Sequence, residues 1–160
     1  MGRAAAETLI PAAVIIFLYY ILPFSGGGGM ALAVGFAVVV VVCSIPWAIH
    51  ASKRVMESSQ PILHGAQMLA LMLSAVVCAF ASVYYAFATH YDDQMTGLAT
   101  KLDAMYFTLT MSTTIGFGDI HPIGQAARGV ASFHMVSNLA VVAVGVQLVR
   151  NAISHRRQNG

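Results

Sequence analysis

The sequence predicts an all-α membrane protein: four transmembrane helices, with a re-entrant helix and loop between the third and the fourth. Three observations carry this expectation. Of 160 residues, 58% are hydrophobic and only 9% charged, which is more apolar surface than a soluble domain this short can bury. Four apolar stretches, roughly Thr8–Phe24, Met30–Ile49, Ile62–Ala88 and Gly124–Val149, each approach the roughly 20 residues that cross a ~30 Å hydrocarbon core. A fifth segment, Lys101–Ser112, is too short and too polar to cross, and a glycine-bearing, non-helical stretch follows it.

Arg3 and the first apolar run faintly resemble a secretory leader, but no A-x-A cleavage site follows, so the run is read as a span. Ser25 and the four glycines after it form a tight turn, making the first two spans an antiparallel hairpin. No Lys-Ser/Thr follows those glycines, so they do not cradle a phosphate. Arg3, Lys53, Arg54, Arg150, Arg156 and Arg157 fall on one side of the membrane if the crossings number four. That side is then cytoplasmic and holds both termini. The opposite side carries Asp92, Asp93, Asp103 and Asp119. Tyr19, Tyr20, Tyr84 and Tyr85 stand near the outer ends of spans one and three, where interfacial aromatics anchor depth. Cys43 and Cys78 lie inside apolar runs as packing residues, with no spacing that suggests a disulfide or a metal site. A net charge of +2 without basic-aromatic runs argues against nucleic acid.

Within Lys101–Ser112, Leu102, Tyr106 and Leu109 recur at helical spacing and continue to Thr113, with Thr100 as N-cap and Asp103 at the capping-box position. A short helix and a non-helical glycine stretch between two spans are tolerated at membrane depth only where protein buries them or water reaches them. That constraint points to a pore.

The ten residues from Thr110 to Asp119, Thr-Met-Ser-Thr-Thr-Ile-Gly-Phe-Gly-Asp, closely resemble the filter signature of potassium channels, and Pro122 also fits. The resemblance covers Ile62 to about Arg150. It implies outer helix 62–88, pore helix 101–112, filter 113–119 and inner helix 124–150, within a pore module 61–150. Residues 1–60 are then an N-terminal hairpin packed around that module, and 151–160 a short basic cytoplasmic tail that contacts anionic lipid.

A potassium ion enters a narrow pore only if ligands replace the water it sheds, and inward-pointing backbone carbonyls do so. Gly116 and Gly118 supply the backbone angles needed to point successive carbonyls one way. By resemblance, the carbonyls of Thr114, Ile115, Gly116 and Phe117, with the Thr114 hydroxyl, bind K⁺, and Gly118 completes the loop. Each chain supplies a quarter of each ring, so a C4 homotetramer is implied. Thr113, Asp119, Tyr106, Phe107 and Thr110 are expected to support the filter. Ile115 and Phe117 would brace it from outside. Tyr106 and Phe107 stand where many relatives carry two tryptophans, and Thr110 where some carry a glutamate that pairs with the filter aspartate. Phe117 lacks the hydroxyl of the more usual tyrosine, so a filter held mostly by packing and prone to slow inactivation is expected.

Where relatives often place a hinge glycine, this chain has Asn138, and Gly145 offers either a bend or close packing. Leu139, Val142 and Val146 would line the cavity and close it by dewetting. Asn138 and His134 are polar groups inside a span. Asn138 either faces the cavity or bonds between helices. His134 is either a satisfied packing residue or a proton sensor, whose replacement by Gln would then abolish a pH response between about 5 and 7.

The function so implied is passive, potassium-selective conduction through a multi-pass protein of the plasma or inner membrane, with K⁺ as permeant ion and no cofactor. Rival readings are one within channels, one enzymatic, and a third in which the chain is an accessory subunit that conducts nothing alone. A non-selective cation channel would need a filter lacking a carbonyl layer, against which Phe117 argues. An intramembrane aspartyl protease would use Asp92 and Asp119 as a proton-sharing pair. However, Asp92 sits in a charged loop, and no Pro-Ala-Leu motif follows.

Overall fold

A computed structural model of the chain describes the backbone of residues 2–57 and 61–158, and the side chains of residues 9–44, 46, 47, 63–143 and 145–147. Five helices and one minimal strand pair make up the described residues: α1 (Gly2–Ile21), α2 (Gly29–Glu57), α3 (Pro61–His90), β1 (Met95–Thr96), α4 (Lys101–Ser112), β2 (His121–Pro122) and α5 (Gln125–Gln158). The side chains of Arg3, Lys53, Arg54, Arg150, Arg156 and Arg157, on which the orientation rests, lie outside the described residues.

Among the described residues two helices are long and apolar enough to cross a membrane, Leu63–His90 and Gln125–Gln147. The apolar stretches Leu9–Ile21 and Gly29–Ser44 are shorter. The last helix runs through Gln158, so most of the segment expected as a separate tail continues α5. The strand pair is also a departure from an all-α expectation. Met95 faces Pro122 and Thr96 faces His121 in antiparallel register. The chain descends after β1 and returns at β2, and backbone amides meeting at that crossing point need partners.

The core lies where α1, α2 and α4 meet α3. Tyr19, Phe24, Phe36, Cys78, Tyr84 and Phe107 belong to one buried cluster. Phe24 packs on Phe36 with centroids 5.7 Å apart, and Tyr84 meets Phe107 edge-on at 4.8 Å. The expected interfacial tyrosines divide. Tyr20 is exposed, whereas Tyr19 and Tyr84 are fully buried. Each buried phenol finds a hydrogen-bond partner, the Lys101 carbonyl for Tyr19 and His134 Nδ1 for Tyr84. Burial of an unpaired hydroxyl would be costly, so these rings serve the helix interfaces. Cys78 is buried, Cys43 is exposed, and both are free thiols.

The N-terminal end of α4 is built as its sequence predicts. The Thr100 hydroxyl accepts from the Asp103 amide at 3.1 Å, and Asp103 Oδ2 accepts from the Thr100 and Ala99 amides at 2.7 and 3.1 Å. Those bonds, the one from the Thr100 backbone foremost, hold the Asp103 carboxyl below its ordinary 3.8. A carboxyl depressed by folding contributes stability that is complete above 3.8 and fades as pH falls through the lower folded value. Thermal melts of the purified protein should therefore show an acid-induced loss below that point, and Asp103→Asn should lack that component of it.

Candidate functional site

The segment that follows α4 is organised by one carbonyl. Thr110 O accepts from the Ile115 amide at 3.0 Å and from the Gly116 amide at 3.2 Å. Both peptides are trans, and in a planar trans peptide the carbonyl points opposite to the N–H. The carbonyls of Thr114 and Ile115, which share those peptides, therefore face away from α4. Left-handed φ angles recur through the segment at Thr114 (61°), Gly116 (56°) and Gly118 (82°). Glycine adopts such angles without steric cost. A β-branched residue does not, so Thr114 is a genuine outlier of the kind that collects at functional sites. Its strain was not foreseen from sequence. The signal available was its place two residues before a glycine that alternates with another.

Support for the loop differs from the expected packing alone. The Tyr106 hydroxyl, on α4, donates to Asp119 Oδ2 at 2.9 Å. The same ring stacks on Phe117, with centroids 6.2 Å apart and planes 4° from parallel. Removal of solvent around the phenol, and then the bond to Asp119, raise its pKa, so the donor proton is retained. The hydroxyl missing from Phe117 is thus matched by one on α4, at Tyr106. Phe107 is buried beneath, against Tyr84. The Thr110 hydroxyl bonds back to Phe107 O, and that of Thr113 to Leu109 O at 2.8 Å. Ile115 and Phe117 remain 61% and 66% exposed, so a single chain supplies only part of the expected outer brace.

The face of α4 that carries Leu102, Tyr106 and Leu109 points away from the chain's own core, which Ala104, Phe107, Thr108 and Thr110 fill instead. On α5, Leu139, Val142 and Val146 are likewise exposed. Gly145 lies beside Leu69, whose side chain an added Cβ would meet at 3.5 Å, an ordinary van der Waals contact.

The two buried polar residues among the described part of α5 both turn toward α4. Asn138, expected as a possible cavity residue, is buried and its amide donates to Met111 O at 3.3 Å. One turn earlier, His134 is fully buried, with Tyr84 Oη 3.2 Å from Nδ1 and Ser112 Oγ 3.2 Å from Nε2. Phe80 stacks on its ring at 4.0 Å. With both nitrogens occupied, His134 is a satisfied bridge from α3 through α5 to the last residue of α4. His134→Ala would strand a buried phenol and open a cavity, so a loss of about 2–4 kcal/mol is expected in denaturant titrations. His134→Gln should recover part of it.

Gln94, which sequence reasoning passed over, ties the outer end together. Its carbonyl accepts from the Ile123 amide at 2.9 Å, and its side-chain oxygen accepts from the Ala127 amide at 3.1 Å. It thereby caps the start of α5, a role that a lone Gln in a loop does not announce.

The sequence matches the model of an ion channel family over residues 71–155, more than half of the chain. A putative potassium channel protein of Rhodopseudomonas palustris is 36% identical over 94 residues, covering 55% of this chain and 23% of its own length. A delayed-rectifier potassium channel regulatory subunit of Homo sapiens is 30% identical over 92 residues, 57% of this chain and 18% of its own. A probable potassium channel of Arabidopsis thaliana is 29% identical over 103 residues, 56% of this chain and 12% of its own. The match thus spans under a quarter of the length of each of these relatives. No solved structure matches.

Proposed function

The chain belongs to the ion channel family, and from that premise we propose that it forms one quarter of a potassium-selective pore. The observation that carries this reading is the pair of amides held by Thr110 O, which leaves the Thr114 and Ile115 carbonyls facing away from α4. Aligned around a fourfold axis, the carbonyls of Thr114, Ile115, Gly116 and Phe117, with the Thr114 hydroxyl, replace the hydration shell of K⁺. Gly118 carries the chain out of the filter. K⁺ is the permeant ion, and the chemistry calls for no cofactor and no catalytic residue.

Tetramer formation is supported by the apolar side chains that one chain leaves uncovered. Leu102, Tyr106 and Leu109 on α4 and Ile115 and Phe117 in the loop are exposed, and a neighbouring copy would bury them. Four spans with both termini in the cytoplasm follow if α1 and α2 also cross, forming a hairpin (1–60) outside a pore module (61–150). The basic residues near the C-terminus then meet anionic lipid. Leu139, Val142 and Val146 line the cavity below the filter.

Purified protein reconstituted in vesicles should form tetramers and give a reversal potential that follows the potassium gradient. Equal passage of sodium would favour the non-selective reading and overturn this one. Some relatives are named regulatory subunits, which favours a second reading, an accessory subunit that conducts nothing alone. A silent but tetrameric reconstituted protein would be its signature.

A further inference from the structure

The first turn of α4 contains a residue that helix physics disfavours. Lys101 is its first helical residue, where the helix dipole presents partial positive charge and repels a cation. A local rule broken in this way points to a partner elsewhere. That partner is the end of α1. Lys101 Nζ donates to the carbonyls of Tyr19 at 3.2 Å, Tyr20 at 2.7 Å and Leu22 at 2.7 Å. An ammonium has three protons, and here three acceptors take them.

Those carbonyls belong to the last turn of a helix and its exit, where intrahelical amides run out, and Leu22 O also accepts from the Phe24 amide at 3.1 Å. The cation also meets the partial negative charge of that terminus. It lies 5.2 Å from the Phe24 ring centroid and 6.0 Å from that of Tyr19. The contact is reciprocal, because the buried Tyr19 hydroxyl donates to the Lys101 carbonyl at 2.6 Å. Asp103 offsets the misplaced charge on α4 itself through the capping box.

We propose that α1 is a positioning element of the pore, and that Lys101 is the residue through which it sets the pore helix and hence the filter. The mechanical path is short. Twelve helical residues form a rod of about 18 Å. At its far end Thr110 O holds the Ile115 and Gly116 amides. A pore helix released at its N-terminus moves that carbonyl and the loop it holds. The hairpin, for which the sequence shows no motif, thereby acquires a role in conduction, which rests on the channel reading above.

The test uses full-length protein in vesicles, with two readouts. Lys101→Met keeps the stem and removes the donors. Amide hydrogen exchange across residues 101–112 should accelerate by about tenfold or more, the factor for one hydrogen bond to a charged group. Potassium current should decay faster during prolonged activation by a similar factor. Lys101→Arg, which keeps charge and donors, should restore both to within about twofold. Tyr19→Phe removes one bond, should shift both in the same direction by less, and decides the matter if Lys101→Met does not assemble.

Unchanged exchange and unchanged current in the variants would overturn the proposal. So would faster exchange with unaltered current, since the contact would then be structural only. A wild type that passes no current would instead overturn the channel reading. The exchange arm would still report whether α1 holds the pore helix.

Discussion

Alanine in place of Gly118 is expected to abolish potassium current in a protein that still assembles. Gly118 has φ +82°, and Gly116 has +56°. A Cβ at either position would meet nothing within 4 Å in the single chain, so the cost is conformational rather than a clash. Left-handed backbone costs a side-chain-bearing residue about 1–2 kcal/mol, incurred in every subunit of the proposed tetramer. Thr114 already carries such strain at φ 61°, which leaves the loop little tolerance for more. The cheapest relief is a peptide flip, which would turn a carbonyl away from the axis and an N–H toward it. A cation finds no ligand there. Single-channel recording of Gly118→Ala, with assembly checked by native mass, is the direct measurement. Wild-type conductance would mean that these carbonyls are not the ion's ligands.

Tyr106→Phe is expected to shorten the time for which the filter conducts. It deletes one hydroxyl and leaves the ring stacked on Phe117, so it isolates the bond to Asp119. A net contribution of about 1 kcal/mol per bond corresponds to roughly a fivefold change in an equilibrium, and four subunits share the same loop. Current should therefore decay several-fold faster under sustained activation. Asp119→Asn should do the same, and the double variant should be little worse than either single one, since both remove one interaction. Additive effects would show that Tyr106 and Asp119 act separately.

These two predictions show how legibility divides. The run proposed as the filter was legible because the chemistry proposed for it demands a contiguous stretch, with glycines at fixed places and carbonyl direction following from backbone angles. Thr114 escaped because strain depends on what holds a residue, and the Thr110 carbonyl is visible only in three dimensions. The Tyr106 brace escaped for a related reason. A hydroxyl on α4 and a carboxylate thirteen residues later meet only once the chain has turned back. Leu102, Tyr106 and Leu109 were read as a helix, but their periodicity could not say whether the stripe faced inward or toward another chain.

What the sequence determined by itself is set by composition and short range: an apolar chain that belongs in lipid, helices with their caps, and a loop that cannot be helical. What the tertiary structure decided is which polar groups meet. Asn138 and His134 were apolar-span anomalies with two readings each, and the fold sets Asn138 against Met111 and His134 between Ser112 and Tyr84. Lys101, the first residue of α4, meets the end of α1 only in the fold. The physical reason is the same for the buried pair, Asn138 and His134. Out of reach of water, a polar side chain must be satisfied by whichever group the fold brings within about 3 Å, and that group lies far away in sequence.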